Sequence, residues 1–262
     1  MNKSYTKNYI TMIVQTGLLI AIAQVVKMFS TYIFIAGVPA IRISFSGPFT
    51  TMPGILFGPL VGGITGGLAD IIGFLIKPQG AYIPWLTLTA ILGGVLTPLL
   101  WKLLKGISIK RLQTICIIIF TTIGLIGIVN YIQITFFEYS DWAKYLISIG
   151  KKTSFTSVGL IITSFIGLLL LLIDQFIQKR NSTSNIYYNF LKLLISVGIP
   201  GILVTTINTQ ILRVFIPALS KKAFIIFWIP RVVEELFITV YIAYMLSILL
   251  HIYNNLFKSK QF

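Results

Sequence analysis

Eight apolar runs follow one another at about residues 9–35, 46–60, 62–77, 84–104, 112–137, 155–178, 188–213 and 229–251, and they constrain the fold more than any motif does. A helix that crosses the hydrocarbon core of a bilayer needs ~20 mostly apolar residues, fewer where flanking side chains snorkel. Hydrophobic residues make up 56% of the chain and charged residues 10%, a balance that no soluble domain needs. The polar stretches between the runs are loops, too short to fold as separate domains. The chain is therefore expected to be an all-α, polytopic membrane bundle, one integral domain over residues 1–262. The second and third runs are short and joined by GPLVGG, as in a tight hairpin of modest spans. Lys3 and Lys7 precede a run containing Ala21-Ile22-Ala23, which resembles a signal-peptide cleavage site. The run continues through Val25 and Met28 to Ile35, so it reads as the first span.

The net charge of +15 would suggest nucleic acid in a soluble protein. Here the bases sit in loops between spans, so lipid headgroups and an anionic ligand are the partners expected, and nucleic acid is not. With the N-terminus inside, eleven Lys and Arg fall at cytoplasmic ends and nine at outer ends, and Lys27 lies within the first span. This balance places both termini in the cytoplasm. The many outer bases suit an anion captured from the exterior. Cys116 is the only cysteine, so no intrachain disulfide can form.

The stretch GPLVGGITGGLADIIGFLIKPQGAYIPW, residues 58–85, carries the densest pattern. Gly58, Gly62 and Gly66 recur every four residues, with Gly63 and Gly67 beside them. Such spacing lets helices meet backbone to backbone, either within the chain or on a docking face for another subunit. Asp70 lies four residues beyond Gly66 and shares its face, and Gly73 and Lys77 continue the stripe. An acid inside a membrane span is costly; it reads either as a ligand contact or as a structural hydrogen bond or ion pair, Lys77 being the nearest base. After the proline-rich turn, Tyr82 and Trp85 are interface anchors or stacking surfaces.

Other polar groups gather near the outer ends. Arg42 lies in GVPAIRISFSGPF, with Phe45 and Phe49 nearby. Asn208, Gln210 and Arg213 end the seventh run, where an amide bridges helices or reads a heterocycle edge. The last run opens with FWIPRVVEELF, which puts Arg231, Glu234 and Glu235 on one helix face. Either the three charges pair with one another, or Arg231 holds a ligand carboxylate or carbonyl while a glutamate accepts from an amino-heterocycle. Paired glutamates also occur in intramembrane metalloproteases of the CAAX-processing type. EELFIT lacks the arginine that follows there, and His251 is the sole histidine, at the cytoplasmic end. No HExxH, GxSxG or P-loop is present, so the chain is not expected to be an enzyme.

The run GILFGPLVGGITGGLADIIGFLIKPQGAYIPWLTLTAILGG resembles the folate-family substrate-binding (S) components of energy-coupling factor (ECF) vitamin transporters, as do Arg42-Ile43-Ser44, TTINTQ and IPRVVEE. The resemblance implies a bacterial plasma-membrane protein that binds folate from outside with high affinity. It implies docking on an ECF module of one transmembrane coupling protein and two ATPases. The ATP is hydrolysed there, so this chain needs no cofactor or metal. It also implies that the whole subunit topples in the membrane to release its vitamin inward. Arg42, Phe45, Asp70, Lys77, Tyr82, Trp85, Asn208, Arg231 and Glu234 become the expected substrate contacts. Small residues on the first helix typically make the docking face, which here is Gly17, Ala21 and Ala23, with Gly62 and Gly66 as a second small-residue surface. Family members have six spans, so residues 106–184 are expected to be a two-helix insertion in a six-helix core, about eight transmembrane helices in all. Glu234 and Glu235 depart from the family pattern, which leaves a related pterin or another vitamin as the alternative substrate; a structural membrane protein without a transport role is the alternative of another class.

Overall fold

The computed structural model describes residues 3–35, 38–78, 80–137, 139–141, 144, 153–180, 186–220 and 224–258. Its elements are α1 (Lys3–Met28), β1 (Thr31–Ile35), β2 (Val38–Ile43), α2 (Gly47–Phe57), α3 (Pro59–Ile76), α4 (Pro84–Leu103), α5 (Ile109–Phe136), α6 (Thr153–Arg180), α7 (Ile186–Phe215), a single turn α8 (Pro217–Ser220) and α9 (Phe224–Lys258). Among the described residues, six helices are long and apolar enough to cross a membrane: α1, α3, α4, α5, α7 and α9. The protein is a multi-pass membrane protein.

Helix starts follow the prolines. Pro48, Pro59 and Pro84 stand in the first turns of α2, α3 and α4, where a missing N–H costs nothing. One residue, Gly58, separates α2 from α3. Its φ of 101° lies in the left-handed region that favours glycine, and that residue turns the chain back on itself.

Contacts α2–α3, α3–α4, α4–α7, α7–α9 and α9–α2 close a ring, and α1 lies against α2 and α3. Helices α5 and α6 pack on each other outside that ring, both also touching α7, with α6 reaching α9. The apolar core sits where these groups meet, around Leu112, Phe120, Leu171, Phe190 and Leu246, each at most 4% exposed.

Two expectations are corrected. The first span ends at Met28 and not at Ile35: Thr31–Ile35 is a strand paired antiparallel with Val38–Ile43. TYIFI is rich in β-branched and aromatic residues, and pairing satisfies its backbone outside the helix. All eight expected helices are present, but α2 is short, with 11 residues, a rise of about 16 Å, roughly half a bilayer core. Helix α6 has 28 residues, and among its described side chains the apolar stretch is Ser157–Ile173.

Candidate ligand-binding cavity

A cavity of about 300 Å³ lies among α1, α2, α3, α4, α7 and α9. Its polar walls are Lys27 of α1, Ser46, Thr50 and Thr51 around the start of α2, Asp70 of α3, Thr89 and Thr97 of α4, and Glu235 of α9. Among the described residues, neither α5 nor α6 contributes to its lining.

Glycines bring these walls together. A Cβ on Gly62 would collide with the Gly94 carbonyl oxygen, and one on Gly94 with the Gly62 carbonyl. Gly66 stands against the Ala90 carbonyl in the same way, and a Cβ on Gly54 would come 3.0 Å from the Gly62 Cα. Helices α2, α3 and α4 thus meet backbone to backbone. Pro98 has no N–H to give the Gly94 carbonyl one turn back, and both residues line the cavity.

Each charged wall residue is aimed by neutral groups. The Lys27 ammonium donates to the Ala69 carbonyl at 2.9 Å, as does the Gln24 amide at 2.9 Å, and Gly73 leaves the room that the Lys27 side chain fills. The Asp70 Oδ2 accepts from Thr87 at 2.7 Å, and the Thr87 hydroxyl lies 2.6 Å from that of Tyr82. The Glu235 Oε2 accepts from Thr205 at 3.0 Å, with the carboxylate against Gly201. The Thr89 hydroxyl lies 2.5 Å from the Asn208 amide oxygen and 2.7 Å from the Leu86 carbonyl. The arrangement offers one ammonium and two carboxylates to a mostly apolar guest.

Of the residues singled out from sequence, Asp70, Glu235, Gly62 and Gly66 line the cavity. Tyr82 reaches it through Thr87 and Asn208 through Thr89. Lys77 lies outside it and donates to the carbonyls of Met28 and Ser30, capping the end of α1. Phe45 packs edge-on against Tyr241 with ring centroids 5.0 Å apart, and Trp85 is exposed. Arg42 pairs with Tyr32 in the hairpin, and its side chain lies outside the described residues. Arg231 stands within electrostatic reach of Glu234 and Glu235. Of the two glutamates it is Glu235 and not Glu234 that lines the cavity. Gly62 and Gly66 are taken up by the α3–α4 contact, so internal packing accounts for them rather than a docking face. Gly17 and Ala21 lie exposed on α1, and nothing stands within 4 Å of a Cβ placed on Gly17. Ala23 is fully buried and faces inward, which removes it from that surface.

Sequence reasoning passed over Lys27 and the wall hydroxyls. Lys27 lies one residue from the end of α1, where a lysine looks like a snorkelling base, and the glycine at position 73 that receives it is legible only once α1 and α3 are paired.

No protein-family model and no solved structure matches the chain. A curated protein does, in part: the folate transporter FolT of Clostridium novyi (strain NT) is 42% identical over 73 residues, 28% of this chain and 42% of that one. The match therefore spans less than half the length of that relative. The chain is a multi-pass membrane protein with a polar cavity among six helices, similar over part of its length to a folate transporter.

Proposed function

We propose that this chain is the substrate-binding membrane subunit of an ECF-type importer that takes up folate from outside a bacterial cell, with both termini in the cytoplasm. The observation that carries the reading is the cavity, which sets two carboxylates, an ammonium and several hydroxyls around a space of about 300 Å³. Folate's pterin head has an amino group beside a ring N–H, and a carboxylate accepts from both side by side. Asp70 and Glu235 are the groups placed to do so. The glutamate tail carries two carboxylates of its own, which suit the cations Arg42 and Arg231. Glu234 orients Arg231, and Lys77, Asn208, Phe45 and Tyr82 brace the frame around the cavity. Gly17 and Ala21 form the surface that docks on the transmembrane coupling protein, whose two ATPases hydrolyse the ATP.

Isothermal titration of the purified protein with folic acid tests the reading, with thiamine and riboflavin as controls. One tight site per chain and silence with both controls is the expected result. A folded sample that ignores folic acid refutes the folate assignment and turns attention to another vitamin.

A further inference from the structure

Among the described residues Lys27 is the one base that lines the polar cavity, and it sits in a membrane-crossing helix. A charge at that depth is costly and by default marks a functional group. Its place is set from two directions. The ammonium donates to the Ala69 carbonyl at 2.9 Å, and the side chain fills the space where a Cβ on residue 73 would stand, so Gly73 is what admits it. Ala69 directly precedes Asp70, and both line the cavity. An ammonium and a carboxylate are therefore presented to one guest from neighbouring points on α3. The Asp70 Oδ2 accepts from Thr87, and a carboxylate has about four acceptor positions, so it has room for two further donors side by side. Glu235 belongs to the opposite wall, held by Thr205 and Gly201 of α7. The cation within its reach, Arg231, does not line the cavity.

The edge of folate's pterin head carries three polar groups in a row: an amino donor, a ring N–H donor and a carbonyl acceptor. Its complement is acceptor, acceptor, donor. We propose that Lys27 is the specificity-determining residue of this cavity, donating to the ring carbonyl oxygen while Asp70 accepts from the ring N–H and the amino group beside it. The inference rests on the folate reading and adds to it which acid reads the head and what the site rejects. A head group with an amino group in place of that carbonyl sets donor against donor at Lys27, and neither finds an acceptor. The cavity takes the oxo form and turns away the amino form.

Titration calorimetry on the full chain in lipid nanodiscs tests this with folic acid and aminopterin. Aminopterin carries an amino group where folic acid has the ring carbonyl oxygen, and the two share the glutamate tail. The native protein is expected to bind folic acid about ten- to a hundredfold more tightly, the worth of a hydrogen bond to a charged group. Lys27→Met keeps the length of the side chain and removes its donors. Folic acid should weaken by that factor, aminopterin should not weaken, and the preference should vanish. Gly73→Ala keeps the lysine and displaces its ammonium, because the added methyl meets only the end of a flexible side chain, and it should shrink the preference as well. A lysine that merely braced α1 against α3 would, on removal, weaken both ligands alike. Equal native affinity for the two compounds, or a preference that survives in Lys27→Met, overturns the proposal and leaves the folate reading standing. A folded native protein that ignores both compounds refutes the folate reading and this inference with it.

Discussion

Two helix pairs in this protein both depend on glycine, and they use it differently. Across α3 and α4, Gly62 faces the Gly94 carbonyl and Gly66 the Ala90 carbonyl, so main chain rests on main chain. Across α5 and α6, Gly124 faces the Ser164 side chain and Gly167 the Phe120 ring, so each glycine is a socket for a side chain. The Ser164 hydroxyl adds a bond to the Phe120 carbonyl at 2.7 Å. A main-chain seam cannot yield, because moving one carbonyl moves a helix. A socket can yield, because a ring or hydroxyl has other rotamers. The unyielding seam carries the cavity and the yielding one does not, so the rigid part of the bundle is the part that holds polar groups in register.

This difference can be broken at its strong end first. Gly62→Ala forces α3 and α4 apart and is expected to cost on the order of 3 kcal/mol and to abolish folate binding, read by thermal melting and titration calorimetry. A variant that melts and binds like the native protein would remove the distinction between the two seams. Arg231→Ala tests the site rather than the seam. It leaves Glu234 and Glu235 without their neighbouring cation, and folate affinity is expected to fall at least ~100-fold while the protein still inserts, in line with the ~3 kcal/mol cost of breaking a shielded charge pair. Near-native affinity would take Arg231 out of the site. Gly167→Ala meets only the Phe120 ring and should cost about 1 kcal/mol, with folate affinity unchanged. A loss of affinity there would mean that the α5–α6 pair is coupled to the cavity. Gly17→Leu, in open space on α1, should leave both melting and binding untouched and stop cellular uptake if that face docks. Normal uptake would move the docking surface elsewhere.

Much of the architecture was legible because apolar runs and helices share their ends. The prolines at 48, 59 and 84 stand at helix starts in the structure, and Pro59 puts the start of α3 three residues before the run read from sequence. The hairpin was hidden because TYIFI prolongs the apolar run of α1 without a break, and hydropathy does not distinguish strand from helix there. The site was less legible than the fold. Adjacent glutamates point about a quarter-turn apart on a helix, so the choice between Glu234 and Glu235 depends on how α9 is rotated against α7. Only packing settles that rotation, through the contact of Glu235 with Gly201. Asp70 was visible because it continued a glycine stripe, and the stripe was visible because the α3–α4 seam needs its glycines at a fixed spacing.

The chain of hydroxyls that aims Asp70 has a direction. Thr87 has one proton, and it goes to the carboxylate; Tyr82 must then be the donor to Thr87. Tyr82 stands in the turn before α4, 42% exposed, its ring 5.1 Å from that of Phe74. A charge that lies inside the bundle is thereby wired to a chromophore at its surface. Loading or emptying the cavity should perturb the ultraviolet absorption of that one phenol, and the difference spectrum should vanish in Tyr82→Phe. Such a signal would run through the same two hydroxyls that hold the aspartate in place.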